Sequence, residues 1–296
     1  MPETCGCASA PRRHCDVCYA EAGVYLACSK ACLDAHQLTH GALTSAAQRA
    51  KRLVAHMNAL HPDSSAAFTA HRGRLMELVG EGGAEQRLLV LGVGNASDLD
   101  LPLLSQRFGE VHLVDLDGAA LERAKGRQPA SVQARLVLHP DVDLSGLLEY
   151  LDDWGEAFPE PRLLGATAVT AARRLVADLG SFDVVLSTCV LSQLGLPFRR
   201  NWVAPASTWA NLSAALSAVH LATLAGCTAR RGILAFDVQE QAGALSPDPE
   251  LVLAQLRSPG LASLVASPRL RQPWQWQLGS LLQTVYAIEF ARPVRL

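Results

Sequence analysis

The sequence predicts an α/β protein: a doubly wound, largely parallel sheet with a terminal antiparallel hairpin, plus a small N-terminal zinc-binding domain and two linking helices. Three observations carry this reading. From about residue 87 onward, short apolar runs bounded by turn residues alternate with helical stretches. Six of the eight cysteines fall within the first 32 residues. Apolar residues make up 49% and charged residues 18% of the 296, so a large core can be buried and global disorder is excluded.

The N-terminal cysteines come in pairs. Cys5 and Cys7, Cys15 and Cys18, and Cys28 and Cys32 are followed by His36 and His40. Thiols in a reducing compartment read as metal ligands before they read as disulfides. Zinc takes four nitrogen or sulfur ligands in a tetrahedron, so eight candidates in four pairs fill two sites. His36 and His40 stand one helical step apart and can grip one ion. The segment Tyr25-Leu-Ala-Cys28-Ser-Lys-Ala-Cys32-Leu-Asp-Ala-His36-Gln-Leu-Thr-His40 resembles the second half of MYND and HIT-type zinc fingers. That resemblance implies an interleaved pairing: Cys5, Cys7, Cys28 and Cys32 on one zinc, and Cys15, Cys18, His36 and His40 on the other. The tight opening pair and the final His depart from the MYND pattern; two zinc ions are expected, and only one if Cys5 and Cys7 sit on a frayed terminus. Closed four-ligand sites are structural, and a unit with so few large apolar residues needs such staples. Residues 1–41 are therefore expected to form the zinc-binding domain.

Residues 42–84 read as a helical linker or lid. A helix is expected over 44–60, started by a capping box of Ser45 with Gln48, with Leu53, Val54, Met57 and Leu60 on one face. His61-Pro62 breaks it. A second helix is expected from about Asp63 to Val79, ended by Gly80. Two such helices either pack against the sheet or roof its site. Residues 85–296 form the third unit. Strands are expected at Arg87–Leu91, Val111–Asp117, Ala134–His139, Phe182–Ser187 and Ile233–Val238, with helices over Ser97–Phe108, Gly118–Arg127 and Thr208–Leu224. Trp274–Leu278 and Val285–Phe290 read as the terminal hairpin. Residues 140–180 and 240–272 read as insertions of loop and helix without assigned bounds.

In such a sheet, ligands sit at the carboxyl ends of the strands. Gly92-x-Gly94 follows the first strand, and Asp115 ends the second, where a carboxylate can accept hydrogen bonds from ribose hydroxyls. Ser97 stands where a dinucleotide fingerprint needs its third glycine, and Asp98 and Asp100 would oppose a pyrophosphate at the following helix. Leu-Gly-Val-Gly-Asn-Ala-Ser-Asp-Leu, Val-Asp-Leu-Asp and Phe-Asp-Val-Val-Leu-Ser-Thr-Cys-Val-Leu-Ser-Gln-Leu resemble motifs I, II and IV of class I S-adenosylmethionine (SAM)-dependent methyltransferases, a Rossmann-like family. The closing Trp-rich hairpin is similar to that family's inverted last strands. By position, the resemblance implies that Gly92, Gly94, Asn95 and Asp98 border the methionine portion of SAM and that Asp115 and Leu116 border the ribose. Asp141 or Asp143, flanking Val142, would reach the adenine amino group, and Ser187, Thr188 and Cys189 would line the floor beside the methyl. The family often carries an acid two residues before the first glycine; Val90 stands there, and Asp98 is its candidate substitute.

The resemblance thus implies a methyltransferase with SAM and two Zn2+ as cofactors, acting on a small molecule or on a peptide presented through the finger. No Asn/Asp-Pro-Pro-Tyr follows the fourth strand, which disfavours amino-group methylation of nucleobases. Cys189 is expected to be packing, and His56, His61, His71 and His139 are expected to be isolated structural residues. Arg199, Arg200, Asn201 and Trp202 form a polar-aromatic loop where acceptor contacts or solvent could lie. With 26 basic against 28 acidic residues, a nucleic-acid partner is disfavoured. No apolar run of about 18 residues and no secretory leader stand out, so a soluble cytoplasmic protein without membrane contact is expected. Two other readings compete: a zinc-finger interaction protein on an inactive Rossmann-like scaffold, and an RNA methyltransferase.

Overall fold

The computed structural model describes residues 3–4, 13–14, 25–27, 46–60, 67–154, 159–201, 206–238, 247–278 and 281–293. All eight candidate zinc ligands, Ser45, His61, Pro62 and Trp202 lie outside these residues. Three short strands, β1 (Glu3–Thr4), β2 (Arg13–His14) and β3 (Tyr25–Ala27), make a small sheet in the order β1-β3-β2. β1 runs parallel and β2 antiparallel to β3.

Helices α1 (Ala46–Leu60) and α2 (Thr69–Val79) follow. α2 begins later than its periodicity suggests, with Phe68 at its N-cap, and Gly80 at φ +62° stops it, a backbone state that costs glycine little. Beyond it stands the main sheet. β4 (Arg87–Leu91), β5 (Glu110–Val114), β6 (Leu136–His139), β7 (Phe182–Thr188) and β8 (Thr228–Val238) run parallel. β9 (Ala266–Leu270), β10 (Trp274–Leu278) and β11 (Leu281–Ala291) complete it, with β11 antiparallel to β8, β9 and β10. The order β10-β11-β8-β7-β4-β5-β6 reverses direction between β4 and β7, which opens a crevice above their carboxyl ends.

The central strands are buried on both faces, which is why they read as continuous apolar runs rather than alternating ones. Leu89, Leu91, Val185, Leu234 and Phe236 face a core shared with α7 (Pro161–Leu179), α9 (Ala206–Cys227) and α10 (Pro249–Leu256). Leu88, Val90, Leu113, Leu186 and Ile233 face the opposite core, shared with α2, α3 (Leu101–Arg107) and α4 (Gly118–Gly126). The short helices α5 (Ala130–Gln133), α6 (Leu151–Trp154) and α8 (Leu196–Asn201) lie in connections.

Several expectations are corrected here. α3 starts at Leu101 rather than Ser97, because Asp100 is its N-cap: the carboxylate accepts from Leu103 N–H at 2.9 Å, and Pro102 occupies the first turn, where its missing N–H costs nothing. Asp98 is therefore not in a helix; it lies in the loop ahead of one. Residues 161–179, left without bounds, form one 19-residue helix that buries Leu164, Ala168, Ala171, Leu175 and Leu179. Arg199–Asn201 are helical rather than loop. α9 is long and apolar enough by length and composition to cross a membrane, contrary to the expectation, but its Leu212, Leu216, Val219 and Leu224 are buried in the core under the sheet.

Candidate functional site

β4 runs into a tight turn. Gly92 sits at φ +79°, and a Cβ there would meet Val190 Cβ at 2.5 Å, so both conformation and space demand glycine. Gly94, at φ +51°, donates its N–H to Asp115 Oδ2 at 2.7 Å. Asp115 Oδ1 accepts from Asp117 N–H at 2.8 Å. One buried carboxylate thus ties the end of β5 to the glycine turn. Burial pushes its carboxyl pKa up, and these backbone hydrogen bonds hold it part of the way down.

A cavity of about 260 Å³ opens above this turn. From β4 and its turn come Gly92, Gly94, Asn95 and Asp98; Asp115 and Leu116 come from the end of β5. Val142 and Asp143 follow β6, and Thr188 and Cys189 end β7. Ten of the twelve cofactor residues expected from the sequence therefore meet in one cleft. The other two do not. Asp141 lies away from the lining, 66% exposed and 3.3 Å from Lys51 Nζ. Ser187 is fully buried and bonds His220 Nε2 at 2.8 Å, because strand alternation turns it towards α9.

The three acids of the cleft sit differently. Asp98 is partly buried, and burial raises its pKa from 3.8 to about 7. Hydrogen bonds from its own backbone and Thr188, with the charge of Arg72, oppose that rise, and the charge of Asp115 adds to it. Asp143 is held by Ser145 N–H at 2.9 Å, Ser145 Oγ at 2.6 Å and Leu148 N–H at 2.9 Å, and burial raises its pKa too. Thr188 Oγ1 donates to Gly92 O at 3.0 Å and fixes the floor. Among the described residues, the lining contains no Lys, Arg or His.

The roof is made by residues that sequence reasoning did not place in the site. Leu53, Val54, Met57 and Asn58 of α1 and Phe68 ahead of α2 close the cleft from above, so the linking helices roof the site. Asn58 Nδ2 donates to Asp117 Oδ2 at 3.0 Å, and Asn58 O accepts from Asn95 Nδ2 at 2.6 Å. Trp276 of β10 supplies one wall. His71 stacks on it at 4.3 Å between ring centroids, and Phe68 lies 4.9 Å away.

His71 and His139 are not isolated, contrary to the expectation. His139 Nε2 lies 2.9 Å from His112 Nδ1. His71 Nδ1 accepts from Trp274 Nε1 at 3.1 Å, which leaves its Nε2–H facing Cys189 Sγ at 4.0 Å. Burial lowers the His71 pKa to about 4 and raises the Cys189 thiol well above its usual value. Both groups are therefore neutral, so this pair makes no thiolate, and Cys189 stays a packing residue.

No protein-family model matches the chain, and no curated protein matches it. Among solved structures, it is similar to the N-methyltransferase NodS from Bradyrhizobium japonicum WM9, at 14% identity and a TM-score of 0.40, over 76% of this chain and 94% of that one. It is similar to magnesium protoporphyrin IX methyltransferase from Synechocystis PCC 6803, at 12% identity and a TM-score of 0.40, over 82% and 84%. The methyltransferase domain of bacterial CtHen1 is similar at 13% identity and a TM-score of 0.41, over 74% and 94%. Likenesses at this level carry no inference about activity, and the reading below rests on the cleft itself.

Proposed function

We propose that this chain is a SAM-dependent methyltransferase of class I. One observation carries the reading: the strand-end cleft is lined by three carboxylates and, among the described residues, by no cationic side chain. A dinucleotide would bring a pyrophosphate against those acids, whereas SAM brings a sulfonium and an ammonium. At Gly94 a Cβ would lie 3.1 Å from Asn58 Oδ1, so the missing side chain lets α1 pack closely on the turn.

The chain's own residues then have separate tasks. Asp98 replaces the acid missing at Val90, which is buried in the core, and holds the ammonium. Asp115 keeps Gly94 in place and offers its remaining lone pairs to the ribose. Of the two acids after β6, Asp143 borders the cleft, and it with Leu116 and Val142 receives the adenine. When bound, SAM supplies an electrophilic methyl. Transfer is an in-line displacement, so aligning the acceptor with that methyl does most of the work and a general base is optional. α1 and Phe68 cover part of the cleft with apolar surface.

The zinc-binding role of residues 1–41 belongs to the same proposal. β1, β2 and β3 end at Thr4, His14 and Ala27, each one residue before a candidate ligand. β1 and β3 lie side by side, which suits the pairing of Cys5 and Cys7 with Cys28 and Cys32. The closed sites would serve recognition or stability rather than chemistry. Val90 favours the second reading, an inactive scaffold carrying a finger. Calorimetry of the full chain with SAM, and with NAD as control, separates the two. Binding of SAM alone is expected; binding of neither would leave the scaffold reading standing.

A further inference from the structure

The cleft has two chemically different halves. The strand-end half holds Asp98, Asp115 and Asp143, every ionisable carboxylate of the lining. The outer half, under the roof and beyond Thr188, is built from Leu53, Met57, Phe68, Leu194, Pro197 and Trp276. Among the described residues, Gln193 is its one side-chain amide, and Gln193 Nε2 gives one N–H to Cys189 O at 3.2 Å. Asn58, bonded to Asp117 and Asn95 beside Gly94, belongs to the strand-end half.

We propose, resting on the assignment of the strand-end half to SAM, that the methyl acceptor is an uncharged, apolar, ring-bearing small molecule seated between α1, Phe68 and Trp276. The chemistry excludes the other classes in turn. A phosphorylated or nucleic-acid acceptor gains its affinity from Lys and Arg at its phosphates, and none lines the cleft among the described residues. A peptide strand buried there would need partners for each of its backbone N–H and C=O groups, and among the described residues the outer half offers a single side-chain amide, Gln193, to a strand that needs many. An apolar ring loses nothing by entering and removes hydrophobic surface from water. The wall it would meet is stiff and flat. Trp276 is stacked against His71 at 14° between ring planes, which fixes the indole for a face or edge contact. Trp276 is 8% exposed, and its indole N–H has no partner among the described residues.

The test uses the full chain saturated with S-adenosylhomocysteine, which occupies the strand-end half. N-phenyl-1-naphthylamine, an uncharged apolar fluorophore, is then titrated in and followed by its emission. Saturable binding of one molecule per chain is expected. Met57→Arg and Leu194→Arg should each weaken it at least tenfold and leave the affinity for S-adenosylhomocysteine within threefold. A folded chain that binds S-adenosylhomocysteine but not the naphthylamine, or binds the naphthylamine equally in both variants, overturns the acceptor class alone. Salt-sensitive binding of an oligouridylate that competes for the cleft overturns it as well. Failure of S-adenosylhomocysteine to bind overturns the cofactor assignment beneath it.

Discussion

If Asp98 holds the ammonium of SAM, cofactor binding must move a proton. In the free chain its carboxyl titrates at about 7, raised from 3.8 chiefly by burial. A cation placed against it favours the ionised form and lowers such a pKa by roughly 1–3 units. With a drop of about 2 units, binding at pH 6 should release about 0.8 proton per chain, and affinity should rise about 25-fold between pH 5 and pH 7, levelling off above about pH 8. The stability of the free chain runs the other way. A carboxyl with a raised folded-state pKa binds its proton more tightly folded than unfolded. Its contribution is therefore complete below about pH 4 and lost as pH climbs through about 7, with an upper bound of about 4 kcal/mol. Burial raises Asp115 and Asp143 as well, so the difference between the wild type and Asp98→Asn isolates the Asp98 share. The assay is calorimetry of SAM binding in two buffers of different ionisation enthalpy, paired with urea unfolding at pH 5 and pH 8. Asp98→Asn should abolish the proton release and flatten the stability difference. Release below about 0.2 proton at pH 6, or equal release from the variant, would refute the assignment of the ammonium to Asp98.

Gly92→Ala combines a left-handed backbone with a Cβ 2.5 Å from Val190 Cβ; strain and overpacking together should cost about 2–5 kcal/mol in urea unfolding, and a loss under about 1 kcal/mol would contradict that close approach. Elemental analysis of chain purified without added metal should give two zinc ions, or one if Cys5 and Cys7 do not contribute; none, with the thiols free, would end the zinc assignment. A chain begun at Thr44 keeps α1 and should bind SAM within threefold of the full chain, whereas one begun at Ala67 loses Asn58, with its bonds to Asp117 and Asn95 beside the glycine turn, and should bind at least tenfold more weakly; indistinguishable affinities would mean that α1 is not a working part of the strand-end half.

What was legible in the sequence was local. The parallel strands announce themselves because both faces are buried, so Leu88 through Leu91 need no alternation to be read. The glycine turn and Asp115 were legible because their spacing is set by one strand, one helix and the next strand. Two further elements carry weaker local signals. Asp100-Leu-Pro102 is a cap followed by a first-turn proline, and Leu164, Ala168, Ala171 and Leu175 repeat at helical steps, though alanine gives that stripe little contrast. Period two along β7 also places Ser187 and Thr188 on opposite sides.

The α1 face of Leu53, Val54 and Met57 was legible, with a lid as one of its two readings, but the partners that the roof residues meet were not, for a different reason. His71 meets Trp274 across 203 positions and Cys189 across 118, and no periodicity encodes such a meeting. Asn58 looks like an unremarkable polar residue of an amphipathic helix until the fold brings Asp117 and Asn95 beside it. The motifs of the resemblance all fall after residue 85, yet the cleft is also lined by Leu53, Val54, Met57, Asn58 and Phe68 and by β10 near the other end of the chain. Motifs therefore report the strand-end half of the cleft. The other half is assembled from apolar residues of distant elements, Leu53, Met57, Phe68 and Trp276, which only the fold brings to one cavity.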